Sequence, residues 1–78
     1  MKTEQRIAVV TGAGQGLGRA FAHRLAEAGW SVAVADIHED KVASVAHEIR
    51  TAGGTARSYR VDVTDADSLE DARARIES

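Results

Sequence analysis

Residues 6–18 read Arg-Ile-Ala-Val-Val-Thr-Gly-Ala-Gly-Gln-Gly-Leu-Gly. A short apolar run rich in Val and Ile, cut off by glycine, is the pattern of a strand covered on both faces, and it predicts a strand over 6–11. Directly after the glycines the period changes from two to three and four. Leu17, Ala20, Phe21, Leu25 and Ala28 fall on one helical stripe, Arg19, His23 and Glu27 turn away from it, and Gly29 supplies a left-handed stop. The pattern predicts a helix over 16–28, so the glycines join the end of a buried strand to the start of a helix.

The same alternation continues outward. Ser31 to Asp36 is again short, apolar and β-branched, and 39–51 places Val42, Val45, Ala46 and Ile49 at helical spacing before Gly53 and Gly54. A third strand is expected over 56–61. Thr64, with Asp67 three residues on, resembles a capping box ahead of a helix over 65–77 that carries Leu69, Ala72 and Ile76. The order is βαβαβα. Right-handed crossovers then give a parallel sheet of spatial order 3-2-1 with helices on both faces, the α/β architecture of the first half of a doubly wound Rossmann domain. The expected chain ends before the fourth strand of such a sheet. That leaves Ile7 to Val10 as an apolar edge, which predicts a homo-oligomer or pairing with another chain.

Composition narrows the function classes. Among 78 residues, Leu, Ile, Val and Phe number 16, close to the lower limit for building a core, and no cysteine staples the fold. Ten basic residues against twelve acidic ones are interspersed, with no basic stripe for nucleic acid and no polybasic membrane anchor. The first apolar run is far too short for a signal peptide or a membrane span, so the expectation is a cytoplasmic protein. His23, His38 and His47 lie on different elements at no ligand spacing; they read as residues of solvated faces, and no metal is expected.

The glycine turn carries the chemistry. A pyrophosphate needs backbone N–H donors, approach without side-chain obstruction and the positive end of a helix dipole. Gly12 would turn the chain sharply out of the strand, Gly16 would let the backbone meet the phosphates, and Gly18 would let the helix sit close to the sheet. No Lys or Ser/Thr follows the last glycine, which excludes a Walker loop. Asp36 closes the second strand 18 positions beyond Gly18, where a carboxylate can accept both ribose hydroxyls of an adenosine. A 2′-phosphate there would meet like-charge repulsion of up to about 4 kcal/mol per unit charge at 4 Å, and neither Gln15 nor Ile37 offers a cation to offset it. NAD is therefore expected to bind in preference to NADP, with His38 as the one nearby group able to carry positive charge. Asp62 and Val63, just past the third strand, are candidates to wall the adenine. Gly12, Gln15, Gly16, Leu17, Gly18, Asp36, Ile37, Asp62 and Val63 form the expected cofactor site.

With these residues in hand, the sequence resembles the short-chain dehydrogenase/reductase family, whose motif Thr-Gly-x-x-x-Gly-x-Gly is matched by Thr11, Gly12, Gly16 and Gly18. Asp36 is similar to the aspartate of NAD-preferring members, and Val61-Asp62-Val63-Thr64-Asp65 resembles their adenine-pocket segment. The resemblance implies an oxidoreductase parent moving a hydride between NAD and an alcohol or carbonyl. It also implies a Tyr-x-x-x-Lys pair, a serine and an asparagine, none of which is met here. The one tyrosine, Tyr59, is followed four residues on by Val63, the lysines are Lys2 and Lys41, and there is no asparagine. No catalytic residue is therefore expected within these residues, and Tyr59 reads as a packing side chain. Two other classes compete. Gly12, Gly14 and Gly16 followed by Asp36 could serve S-adenosylmethionine in a methyltransferase, and a noncatalytic nucleotide-binding or assembly module would use the exposed edge to recruit a partner.

Overall fold

A computed structural model of the chain describes residues 6–62 and 64–77. Three strands alternate with three helices: β1 (Ile7–Thr11), α1 (Gly16–Glu27), β2 (Ser31–Asp36), α2 (Glu39–Thr51), β3 (Thr55–Arg60) and α3 (Ala66–Glu77). The strands form one parallel sheet of order β1-β2-β3. This is the 3-2-1 arrangement that the alternation of short apolar runs and helical repeats predicts.

The pleat sorts side chains between two faces, because successive residues of a strand point to opposite sides. Val32 and Val34 of β2 join Val10 of β1 and Ala56 of β3 on one face, where α1 and α2 close over them with Ala22, Val42, Val45, Ala46 and Ile49. Ala33 and Ala35 point the other way and pack with Tyr59, Val61 and Ala72 under α3. All four residues of the stripe read for α2 are buried. Gly29 and Gly53, each with φ of 94°, follow the two C-caps and release the chain toward the next strand.

Of the stripe expected for α1, only Leu25 packs against the core. Leu17 is 87% and Phe21 58% exposed, and Ala20 and Ala28 lie at the surface. The helix turns its smallest residues inward, with Ala22 fully buried and Leu25 and Ala26 packed beside it. A Cβ on Gly18 would lie 2.2 Å from the carbonyl oxygen of Gly12. Where the first turn of the helix approaches the sheet this closely there is no room for a side chain, and Leu17 and Phe21 are displaced to its flank.

The start of α3 also differs from expectation. Asp65 is the cap, its Oδ1 accepting the amides of Asp67 at 3.0 Å and Ser68 at 3.4 Å. Thr64 instead donates its hydroxyl to Asp62 Oδ1 at 2.6 Å, so the Thr64–Asp67 capping box is not formed. As expected, β1 is an edge strand with Ile7 51% and Val9 53% exposed. No described helix is long and apolar enough to cross a membrane.

Candidate functional site

The carboxyl ends of the three strands come together at one rim of the sheet. Thr11 and Gly12 leave β1, Ala35, Asp36 and Ile37 leave β2, and Val61, Asp62 and Thr64 leave β3, lining a cleft of about 260 Å³. Parallel strands force this convergence, because every crossover returns the chain to the opposite edge before the next strand begins.

Within the glycine turn each residue has a separate physical role. Gly12 (φ 64°) and Gly16 (φ 61°) occupy the left-handed region, yet a Cβ on either would meet nothing within 4 Å. Their requirement is conformational, and the space beside them is free for a ligand. Gly18 faces the opposite constraint, backbone packed directly against it. Ala13 donates its amide to the carbonyl of Ala35 at 3.1 Å, extending the sheet ladder past β1 and fixing the turn to the end of β2. Gln15 is the cap of α1 in extended conformation, without a side-chain bond to the helix amides. Leu17 stands at the surface of the first turn.

Asp36 holds the corner together. Its Oδ2 accepts the amide of Gly14 at 2.9 Å, and its Oδ1 accepts the amide of His38 at 3.1 Å and pairs with His38 Nδ1 at 3.0 Å. Shielding from solvent pushes its carboxyl upward, but the hydrogen bonds from His38 and Gly14 outweigh this and hold it below the ordinary carboxylate value. A Cβ on Gly14 would lie 2.9 Å from Asp36 Oδ2 and 3.0 Å from Lys41 Cβ, so this fourth glycine of the turn is needed for close packing. The sequence pattern alone did not single out Gly14 for this role.

The structure corrects the absence of a cation at this corner. The first turn of α2 brings Lys41 over the glycine turn, and its ammonium donates to Gln15 Oε1 at 2.8 Å. Nothing in the spacing of Gln15 and Lys41, 26 positions apart, announces that contact.

Asp62 lines the cleft with its amide donated to Ser68 Oγ at 3.0 Å. Its carboxylate is held below the ordinary range by bonds from the hydroxyl and amide of Thr64. Val63 lies outside the described residues. Tyr59 is buried, as a packing residue should be, with Arg75 over its ring.

Two of the three histidines have carboxylate partners, His38 while still exposed and His23 half-buried. His38 pairs with Asp36, and His23 Nε2 lies 2.9 Å from Glu48 Oε1, which also receives Arg19. Arg19 and His23 therefore turn toward α2 and bridge it to α1; only His47 is simply exposed. Among the described residues no group of His, Cys, Asp or Glu is arranged to hold a metal.

Comparison with known proteins decides the family. The sequence pattern of the short chain dehydrogenases fits residues 6–78. The chain belongs to the short-chain dehydrogenases. It is similar to 2,5-dichloro-2,5-cyclohexadiene-1,4-diol dehydrogenase LinX of Sphingobium indicum, 46% identical over 69 residues that make up 88% of this chain and 28% of that protein. It is also similar to 7alpha-hydroxysteroid dehydrogenase of Escherichia coli K12, at 39% identity over 88% of the chain and 27% of the relative. This short-chain dehydrogenase sequence thus spans little more than a quarter of the length of these relatives. Among solved structures, a metagenomic short-chain oxidoreductase in complex with NADP aligns with a TM-score of 0.87 and 34% identity, covering 91% of this chain and 32% of that one. A short-chain dehydrogenase/reductase of Burkholderia phymatum in complex with NAD aligns at 0.86 and 36%, covering 95% and 27%. The family match favours the dehydrogenase reading over the methyltransferase one.

Proposed function

We propose that these residues are the NAD-binding part of an oxidoreductase that moves a hydride between NAD and an alcohol or carbonyl substrate. The observation that carries this is the convergence of the glycine turn, Asp36 and Asp62 on a single cleft at the carboxyl ends of the strands. Gly12, Gln15, Gly16, Leu17 and Gly18 would present backbone donors and the positive end of α1 to a pyrophosphate. Asp36 and Ile37 would meet the adenosine ribose. Asp62, with Val63 beside it in sequence, would face the adenine. The nicotinamide, when bound, supplies the hydride acceptor.

A carboxylate offers about four acceptor positions. In Asp36, Gly14 and His38 take three of them. Ribose binding is therefore expected to displace the His38 ring while the Gly14 bond keeps the turn in place. The preference for NAD over NADP follows from the charge of Asp36. Hydride transfer itself needs groups that these residues do not contain, so the general acid/base belongs to sequence beyond them.

The bare β1 edge is read as a pairing surface, either with further strands of the parent or with a second copy. A cytoplasmic location is the reading that composition supports.

Calorimetric titration of the protein in its natural length with NAD and NADP tests the proposal. NAD should bind more tightly, and Asp36→Ala combined with Ile37→Arg should move the preference toward NADP. An unchanged ratio would reduce Asp36 to a brace for the glycine turn.

A further inference from the structure

The outer edge of β3 gathers charges that lie far apart in the sequence. Arg57 stands on the strand itself, Arg50 in the last turn of α2 and Arg75 in the last turn of α3. All three are exposed, and together with Ser58 and Tyr59 they line a cleft of about 450 Å³ that has no carboxylate in its walls. The fold accounts for two of them. Arg50 donates from Nη1 to the carbonyl of Ala56 at 2.8 Å, and Arg75 lies 5.6 Å from the centre of the Tyr59 ring with Asp71 3.9 Å away. Both also answer the negative end of their own helix. Arg57 has no such account, for it makes no hydrogen bond or ion pair among the described residues.

The backbone adds a donor at the same place. β3 pairs with β2 alone, so its other side is open. Val61 donates its amide to the carbonyl of Asp36 at 3.0 Å, which fixes the alternation: Arg57 and Tyr59 turn their backbone groups toward β2, and Ala56 and Ser58 turn theirs outward. Arg50 fills the outward carbonyl of Ala56 and leaves the neighbouring amide of Ser58 facing the cleft.

We infer that this cleft is an anion site, sharing no residue with the cofactor cleft, that takes the multiply charged phosphate group of a soluble small molecule. Three guanidiniums around one space repel one another unless an anion lies between them. Their planar forks match phosphate oxygens two at a time, and the Ser58 hydroxyl and amide add donors without adding charge. A peptide strand is a poorer occupant, because pairing along this edge needs the Ala56 carbonyl that Arg50 already holds. The positive charge is confined to one cleft of a chain whose net charge is -2, which suits a compact anion better than an extended polyanion or a membrane.

The test follows backbone amide shifts of the protein in its natural length, wild type, Arg57→Gln and Arg57→Lys, titrated with inorganic tripolyphosphate at low and high salt. The Ser58 amide should respond in wild type. Arg57→Gln should weaken that response by about tenfold, the scale of one hydrogen bond to a charged group, and Arg57→Lys, which keeps the charge without the fork, should fall between the two. High salt should weaken binding to wild type more than to Arg57→Gln. The melting temperature should not move in Arg57→Gln, since the side chain has no partner to lose, and NAD binding at the other cleft should be unchanged. Shifts confined to Gly16 and Leu17 would place the anion at the glycine turn and overturn the inference. An equal Ser58 response in wild type and Arg57→Gln would overturn it too. Tighter binding at this edge of a hexaglutamate peptide, or of vesicles of phosphatidylcholine and phosphatidylglycerol, than of tripolyphosphate would make it a peptide-docking or membrane-facing edge instead.

Discussion

The two faces of the sheet are finished to different degrees. Under α1 and α2, valines from β1 and β2 meet Val42, Val45 and Ile49, and the largest of these side chains are fully buried. Under α3 the sheet offers alanines, Tyr59 and Val61, and beside Ala72 an apolar groove of about 530 Å³ stays open, walled by Ile7, Val9, Leu69 and Ile76. A face with two helices over it is close-packed, whereas a face with one helix over its far half leaves β1 bare. Close-packed interiors feel the loss of single methylenes, and open ones do not.

That contrast can be broken by substitutions read out as denaturant stability. Ile49→Ala, on the closed face, should cost about 3–4 kcal/mol, since the large-to-small change leaves a cavity that rigid neighbours cannot fill. A loss no greater than that of a groove substitution would show that the closed face is as loose as the open one. Gly18→Ala should cost about 2 kcal/mol by driving α1 off the glycine turn, and it should also weaken nucleotide binding. Gly16→Ala, with free space around its Cβ, should instead leave packing intact and act through backbone strain.

Glu48→Gln sharpens the comparison by weakening the brace between α1 and α2. Hydrogen bonds from Arg19 and His23 hold the Glu48 carboxyl below its ordinary value. That stabilisation is fully present above the unfolded-state pKa and is lost as pH falls through the lower folded value. The variant should therefore melt about 2 °C below wild type at neutral pH, and the difference should vanish in acid. The effect is small because the pair is partly solvated. Smallest of all, Val9→Thr in the groove should change stability by less than about 0.5 kcal/mol. A larger loss would mean that the groove is already filled.

The legible parts of this molecule are those where side-chain size and depth agree. In α2, Val42, Val45, Ala46 and Ile49 repeat at helical spacing and are buried, and β1 and β2 show their character in unbroken apolar runs. In α1 size and depth part company: the one fully buried residue is Ala22, flanked by Leu25 and Ala26, while the larger Leu17 and Phe21 of the expected stripe lie exposed. At the candidate site, glycine spacing and Asp36 are local signals and could be read directly. The contacts of Gly14 with Asp36, Lys41 with Gln15, and Glu48 with Arg19 and His23 join residues more than twenty positions apart. Each depends on how two elements dock, and periodicity within one element carries no trace of it.

The middle position of β2 sets a clock inside the protein. Its backbone is bonded to β1 on one side and β3 on the other, and Val32 to Ala35 are buried without interruption. Amide protons there can trade with deuterium only when the sheet itself comes apart, so they should be the last to exchange. In the glycine turn Gly16 and Leu17 are exposed and their amides should exchange early, while those of Ala13 and Gly14 are held by Ala35 and Asp36. A single exchange experiment would therefore time two events separately, the integrity of the sheet on β2 and occupancy of the cleft on the turn.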